Sequence, residues 1–342
     1  MRKGDIKIAF TYVGAIVGAG FASGQELIKF FVAFNNYGLI GTVFTGIIFA
    51  LLGSLVIILV NKINIRDYGQ LLRALFPRKI YKIMDIMISL TLWVGLGVML
   101  SGSGTLINEQ LKLPSYLGFI VTAVMVVFCL QLGSKGLLNT NCVLVPFLII
   151  LAIGCSMIYI IKPVACFSQS GMIKSLLPNW WTASLLYAAY NMVLGIVVMS
   201  SIKDKEEDVS PVGGIIGGAI LGLMSFIMVK GLLLLPAELQ IRELPMLAMT
   251  TTLHPLAGTI YGISLWIALF TTALANAHSL TIRVSNKINK PYRLILILIV
   301  ASALSFIPWK FSLLISVIYP IEGYLAIPLI LAIIIAVVKK KN

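Results

Sequence analysis

The chain has 342 residues, of which 59% are hydrophobic and only 11% are charged. A soluble domain has roughly 45–50% apolar and 25% charged residues, so this composition excludes a soluble globular protein. The formal net charge of +14 is not gathered in one segment, which argues against a nucleic-acid-binding protein. The sequence therefore predicts an all-α integral membrane protein whose partner is the lipid bilayer.

Apolar stretches long enough to cross a bilayer recur along almost the whole chain. A membrane-spanning helix needs about 20 mostly apolar residues to cross about 30 Å of hydrocarbon. The first stretch runs well past the apolar core of a signal peptide, which is only about 7–15 residues long, so we expect it to be retained as a span. The apolar stretches between polar or turn-rich breaks predict ten spans, at residues 6–31, 38–61, 82–108, 116–133, 138–161, 179–201, 211–235, 255–282, 292–308 and 311–338.

The distribution of Lys and Arg predicts the orientation of these spans. Cytoplasmic loops carry an excess of both residues, and an inside N-terminus puts most of the 26 Lys and Arg residues in cytoplasmic segments. Both termini are then cytoplasmic. Ten spans divide into two halves of five, residues 1–162 and 163–342, and an odd number per half makes the second half run in the opposite direction. Two inverted five-helix repeats are typical of secondary transporters.

The first predicted span is interrupted by glycines at positions 14, 18, 20 and 24. Each glycine inside a helix costs roughly 1 kcal/mol relative to alanine. We therefore expect a break between Gly14 and Gly20 that frees backbone carbonyls to bind a cation. The freed N–H groups at Gly18, Ala19 and Gly20 are expected to bind an anionic group of a substrate. The alternative is close helix packing through the GxxxG pair formed by Gly14 and Gly18.

The segment GAIVGAGFASGQE, which begins at Gly14, resembles the unwound first helix of the LeuT-type fold in the amino acid–polyamine–organocation superfamily. Glycines 14, 18 and 20 match the spacing of the superfamily's GxxxGxG stretch, and the whole segment is similar to that of the uncharacterised bacterial YkvI-like membrane proteins. The resemblance implies a bacterial cytoplasmic membrane, breaks in helices 1 and 6, and an amino acid or amine as solute. Phe21 stands where sodium-coupled members often have a polar residue, which argues against a second sodium site there.

The sixth and eighth predicted spans carry polar residues within apolar stretches. Tyr190, Asn191 and Gly195 lie in span 6 at a depth comparable to the glycines of span 1, and Asn276 lies in span 8. A side-chain amide at that depth needs partners and offers both a donor and an acceptor. The predicted substrate-binding residues are therefore Gly18, Ala19, Gly20, Glu26, Tyr190, Asn191 and Asn276.

A sodium site is predicted between spans 1 and 8. Ala268, Thr271 and Thr272 are spaced i, i+3 and i+4, which puts them on one helix face. Hard cations prefer oxygen ligands, and carbonyls freed at Gly14 and Val17 would complete the set. These five residues also resemble the conserved sodium site of the superfamily. The alternative is that the two threonines bond only to their own backbone, as threonines in membrane helices often do.

Two acidic residues lie within apolar stretches. Glu322 is in the segment YPIEGYL of span 10, and burying an acid there costs about 2.5–3.5 kcal/mol on insertion scales. We expect Glu322 to face a cavity or a partner, where it would carry a proton or bind a substrate amine. Glu26 could bind a cationic substrate or could pair with Lys29 at i, i+3.

These features predict sodium-coupled symport of a small polar organic solute, such as an amino acid or amine, by alternating access. One alternative is proton coupling through Glu26 or Glu322, and another is a non-transporting membrane receptor for a small ligand. The sequence shows no nucleophile–His–acid set, no Cys/His metal spacing and no phosphate-binding loop. We therefore expect no enzymatic activity and no cofactor, with sodium as the coupling ion.

Overall fold

The structure, a computed structural model, describes residues 3–63, 68–132, 141–162, 173, 175–200 and 210–339. Most of these residues are helical, and none of the described residues forms a β-strand. The α-helices are α1 (Lys3–Ile16), α2 (Ala19–Ser23), α3 (Gln25–Phe30), α4 (Asn36–Ile63), α5 (Tyr68–Leu75), α6 (Arg78–Leu111), α7 (Ser115–Gln131), α8 (Asn141–Ile161), α9 (Trp180–Ser200), α10 (Val212–Leu233), α11 (Ala237–Gln240), α12 (Pro245–Leu253), α13 (Pro255–Ile288), α14 (Tyr292–Ala303) and α15 (Phe311–Val338).

Six helices in the described part of the chain are long and apolar enough to cross a membrane, judged by length and composition: α4, α6, α9, α10, α13 and α15. Each overlaps one of the predicted spans. Three shorter apolar stretches, Ser115–Gln131, Pro146–Ile161 and Tyr292–Phe306, overlap three further predicted spans. Large apolar side chains also face outward. On α4, for example, Ile40, Val43, Ile47 and Leu51 are each more than half exposed, as expected of a surface that meets lipid.

The first predicted span is divided among α1, α2 and α3. Helix α1 ends at Ile16, and α2 begins at Ala19. The amide of Gly18 donates to the carbonyl of Ile16 (2.8 Å) rather than continuing the helical pattern to Gly14. The break predicted between Gly14 and Gly20 is therefore confirmed. A second interruption, at Gly24, separates α2 from α3, where a φ of 80° favours glycine because it has no Cβ.

The predicted break in the sixth span is wrong, because α9 is one continuous helix. The side-chain amide of Asn191 donates to the carbonyl of Tyr187 in the preceding turn (3.0 Å) and so finds its partner within the helix. Gly195 serves close packing instead: a Cβ there would lie 2.8 Å from the ring of Tyr12 on α1. Helix α9 also packs against α4 and α15, and these contacts offset the cost of one glycine.

Helices α4 and α10 pack closely through glycines. A Cβ at Gly46 would lie 2.8 Å from the Cα of Gly222, and one at Gly222 would lie 2.7 Å from the Cα of Gly46. Small residues allow this approach, and van der Waals contact rather than the hydrophobic effect drives helix association within a bilayer. In addition, α10 packs against α1, and α4 packs against α9.

Candidate functional site

A cavity of about 140 Å³ lies at the break between α1 and α2, and α3, α5, α6, α9, α13 and α15 also contribute to its walls. An engineered cavity of about 150 Å³ holds benzene, so this volume suits a solute of a few heavy atoms. We call it the central cavity. It brings together all the predicted substrate-binding residues, with Thr272 and Glu322: Gly18, Ala19, Gly20, Glu26, Tyr190, Asn191, Thr272, Asn276 and Glu322. That they bind a substrate stays a prediction.

The carboxyl group of Glu26 is held at the wall of the central cavity. Its side chain is buried, and the hydroxyl of Tyr190 donates a hydrogen bond to its Oε2. Gly20 makes room for the other oxygen, because a Cβ at position 20 would collide with Oε1 of Glu26. Glu26 thus lies at the central cavity, and its binding of a cationic substrate stays a prediction.

Aromatic rings surround this carboxyl group. The ring centroid of Tyr190 lies 4.8 Å from that of Tyr319 on α15 and 5.7 Å from that of Phe30 on α3. The Tyr319 hydroxyl would lie 3.4 Å from a Cβ at Gly20. Two helices distant in sequence thus meet the broken segment through tyrosines that line the cavity.

Glu322 enters the same cavity from α15. Thr91 on α6 and Glu26 on α3 line the same cavity. Helix α15 stays continuous past Pro320, although a proline cannot donate to the carbonyl four residues earlier. Among the described residues that line the cavity, two are acidic and none is Lys, Arg or His.

The predicted sodium ligands on span 1 lie on two sides of the α1 end. Val17 is buried, whereas Gly14 is exposed and lines a separate groove formed with α8 and α10. Because the amide of Val17 donates to Val13 and that of Gly18 donates to Ile16, no backbone amide four or fewer residues ahead takes the Gly14 carbonyl. The break therefore releases this carbonyl from the helical pattern.

The predicted ligands on span 8 lie along one stretch of α13. Ala268 and Thr271 are buried, and Thr272 lines the central cavity. The hydroxyl of Thr271 donates to the carbonyls of Ile267 (2.9 Å) and Ala268 (3.2 Å), and that of Thr272 donates to Ala268 (2.8 Å). The alternative interpretation of the sequence expected such bonds from each threonine to the backbone of its own helix. They use the hydroxyl protons and leave oxygen lone pairs.

Three further cavity residues were not predicted from the sequence. Tyr319 lies three residues before Glu322 and therefore on the same helix face, which is a signal the sequence contains. Gly95 on α6 gave no local signal; its lack of a side chain admits Asn276, whose Nδ2 would lie 2.7 Å from a Cβ there. Tyr68 comes from α5, and burial raises the pKa of its hydroxyl, which keeps it a hydrogen-bond donor.

In the part of the chain that the structure describes, no group of three or more His, Cys, Asp or Glu side chains could hold a metal ion. A sodium site of neutral oxygens lies outside that criterion.

The fold is shared with solved membrane transporters. The chain aligns with a manganese transporter from Eremococcus coleocola, crystallised with an aromatic bis-isothiourea compound, at a TM-score of 0.61 and 17% identity over 96% of this chain and 78% of that one. It aligns with Mhp1, a nucleobase-cation-symport-1 family transporter in a closed conformation with bromovinylhydantoin bound, at a TM-score of 0.57 and 15% identity over 97% and 77%. The protein is thus an integral membrane protein with a transporter fold of the LeuT type.

No protein-family model matches the chain, but two curated proteins of Bacillus subtilis (strain 168) are similar to it over nearly their whole length. It is 28% identical to "Uncharacterized membrane protein YkvI" over 329 residues, which are 95% of this chain and 93% of that protein. It is 25% identical to "Uncharacterized protein YyaD" over 336 residues, 97% of each. Its homologues are YkvI-like membrane proteins, as the segment beginning at Gly14 predicted.

Proposed function

We propose that this protein is a cation-coupled secondary active transporter that moves a small organic amine through the central cavity by alternating access. The observation that carries the proposal is the lining of that cavity, with Glu26 and Glu322 and no cationic side chain among the described lining residues. A buried carboxylate needs a partner of opposite charge, and an amine would supply one. The rings of Tyr190 and Tyr319 beside Glu26 add a cation–π contribution.

An amine is favoured over an amino acid, the other solute that the resemblance implies. The amides at the start of α2, around Ala19 and Gly20, were expected to hold a substrate carboxylate. The carboxyl oxygen of Glu26 lies beside Gly20, so a substrate carboxylate bound there would be repelled by Glu26. A cationic solute without a carboxylate avoids this repulsion.

We assign the coupling ion as sodium, bound by Gly14, Val17, Ala268, Thr271 and Thr272. The carbonyl released at Gly14 and the two hydroxyl oxygens are neutral ligands. Carbonyl and hydroxyl dipoles can replace the hydration shell of an ion, as carbonyls do in channel filters. Neutral ligands bind the ion weakly, which suits a coupling ion that must be released into the cytoplasm after transport.

Proton coupling is the second candidate, because Glu26 and Glu322 line one cavity. Two neighbouring carboxyl groups tend to share a proton, since their like charges disfavour simultaneous ionisation. A proton taken up from one side of the membrane and released on the other would then drive the solute.

We further propose ten transmembrane segments in two inverted repeats, residues 1–162 and 163–342, with both termini on the cytoplasmic side of a bacterial membrane. The six long and three shorter apolar stretches of the described chain, together with the broken first segment, add up to ten and support this count. The excess of Lys and Arg in the segments proposed as cytoplasmic supports the orientation.

The function is tested with purified protein in proteoliposomes. Amines and their parent amino acids, for example ethanolamine with serine and putrescine with ornithine, are screened first for thermal stabilisation with and without Na⁺. Uptake of a stabilising amine is then measured with a sodium gradient and with a pH gradient alone. Accumulation with the sodium gradient is expected. Accumulation with only the pH gradient would select proton coupling, and binding without accumulation under either gradient would indicate a receptor.

A further inference from the structure

A groove at one end of the bundle separates the start of α6 from the end of α13. Its lining includes Lys82 and Asp85 from α6, and Arg283 and Lys287 from α13, and its volume is about 550 Å³. It shares no lining residue with the central cavity, although different residues of α6 line the two spaces.

A second groove of about 500 Å³ adjoins the first, because both are lined by Tyr81 and Lys82. It adds Arg73 from α5 and Arg78 from the first turn of α6. The guanidinium of Arg73 lies over the ring of Tyr81, 5.8 Å from its centroid. Together the two form one surface, which we call the cationic groove.

The cationic groove has five positive side chains and one carboxylate among its lining residues. That carboxylate, Asp85, is already bound: Arg283 donates to it through Nε (3.0 Å) and through Nη2, and Lys287 lies 3.8 Å away. No further carboxylate among the described lining residues pairs with Arg73, Arg78 or Lys82, so their charges can attract an anion. Lys287 is 64% exposed and borders the same space.

An apolar stripe runs along α6 from this groove. Ile83, Ile86 and Leu90 are 56%, 52% and 54% exposed, and their spacing puts them on one helix face. The stripe rises about 10 Å along the helix axis, and Ile86 itself lines the groove. A site with positive charges at one end and an exposed apolar track leading away from it fits a molecule with an anionic head and an acyl chain.

We propose that the cationic groove binds the phosphate headgroup of an anionic phospholipid, whose acyl chain lies along Ile83, Ile86 and Leu90. Clustered Lys and Arg between or beside membrane helices attract anionic headgroups, and arginine matches phosphate in geometry as well as charge. This lipid site does not involve the transported solute. The lipid proposal can therefore be wrong while the proposed transport function is right, and the reverse.

The test compares thermal unfolding of the detergent-purified protein with added phosphatidylglycerol, phosphatidylcholine or soluble glycerol phosphate, and measures phosphatidylglycerol affinity by native mass spectrometry. The wild type should be stabilised by phosphatidylglycerol more than by the other two. The variant Arg73→Gln/Lys82→Gln/Lys287→Gln should bind phosphatidylglycerol at least about tenfold more weakly. The control Lys112→Gln/Lys230→Gln/Lys310→Gln removes three exposed cations outside the groove and should bind as the wild type does.

Several outcomes would overturn the proposal. Equal stabilisation by phosphatidylcholine would remove the headgroup preference, and equal protection by glycerol phosphate would indicate a soluble phosphate ester. Equal weakening in the control variant would indicate a general charge effect. If the triple variant does not fold, Lys82→Gln alone is compared with Lys112→Gln, and an unchanged affinity in Lys82→Gln is likewise contrary to the proposal.

Discussion

The carboxyl group of Glu26 lies in the space beside Gly20 that any larger side chain would need. The two residues are on different short helices of the broken first segment, α2 and α3, and Gly24 turns the chain between them. This turn brings an acid back over the backbone of α2 and into the central cavity. The glycine at position 20 is therefore explained by the position of the carboxyl group, and not only by helix breaking.

Substituting Gly20 by alanine should displace this carboxyl group. The added Cβ would overlap Oε1 of Glu26, and overpacking of this kind costs about 1–3 kcal/mol of stability. Loss of a charged hydrogen-bonded contact to the solute, about 1.5–3 kcal/mol, should weaken amine binding about 10- to 100-fold. Binding and thermal unfolding are measured together. The control is Gly154→Ala on α8, where a Cβ would likewise have no neighbour within 4 Å; this residue lies outside the proposed sites, so binding should be unchanged.

Substituting Gly18 by leucine should block transport more than folding. A Cβ at this position meets no atom within 4 Å, and the residue lines the central cavity, so a longer side chain projects into open space. Uptake should fall to background while the unfolding temperature stays close to that of the wild type. Gly18→Ala should keep most of the uptake; a loss as large as that of Gly18→Leu would show that backbone freedom, rather than cavity volume, is what the glycine supplies.

Glu26→Gln should weaken amine binding more than Tyr190→Phe. The first removes the charge that pairs with the amine, about 1.5–3 kcal/mol, whereas the second keeps that charge and removes only a hydroxyl that donates to the carboxyl group. Calorimetric titration of both variants measures the difference. Phe30→Leu, which changes an aromatic neighbour of Tyr190 without touching charge, serves as the control. Equal affinity of Glu26→Gln and the wild type would remove Glu26 from the solute site.

Replacing Thr271 and Thr272 together by valine should abolish stabilisation by sodium. Valine keeps the shape of threonine but removes two oxygens, and sodium at about 100 times its Kd would add about 2.7 kcal/mol to the wild type. Thermal unfolding in NaCl is compared with that in choline chloride. The matched control, Thr251→Val/Thr259→Val, removes two exposed hydroxyls that also donate to their own helices. Retained sodium dependence in the first variant would move proton coupling to first place.

A reporter fused to the C-terminus should mark the cytoplasmic side. Green fluorescent protein placed there should fluoresce, because it folds inside the cell, whereas alkaline phosphatase at the same point should stay inactive. The expectation follows from the Lys and Arg bias. Active phosphatase would reverse the proposed orientation and with it the direction of the inverted repeats.

The sequence by itself determined the membrane class, the position of most helices, the break before Ala19 and several of the polar residues that line the cavity. These features are local: a bilayer requires about 20 apolar residues per span and makes every backbone interruption costly, so both appear in consecutive residues. The predicted break in the sixth span is wrong because one glycine and one asparagine are not enough to interrupt a helix. Gly195 admits Tyr12, a residue of another helix.

Only the tertiary structure decided which side chains meet. Glu26 and Tyr190 are 164 residues apart, and the space at Gly95 is filled by Asn276 from α13. Helix packing brings such residues together through shape and small-residue contacts, which leave no periodic signal in either segment. The sequence left open whether Glu26 lies at the substrate cavity or at the surface beside Lys29, and the turn at Gly24 places it at the central cavity. Met246 of α12 packs against that turn, 2.6 Å from where a Cβ at Gly24 would lie.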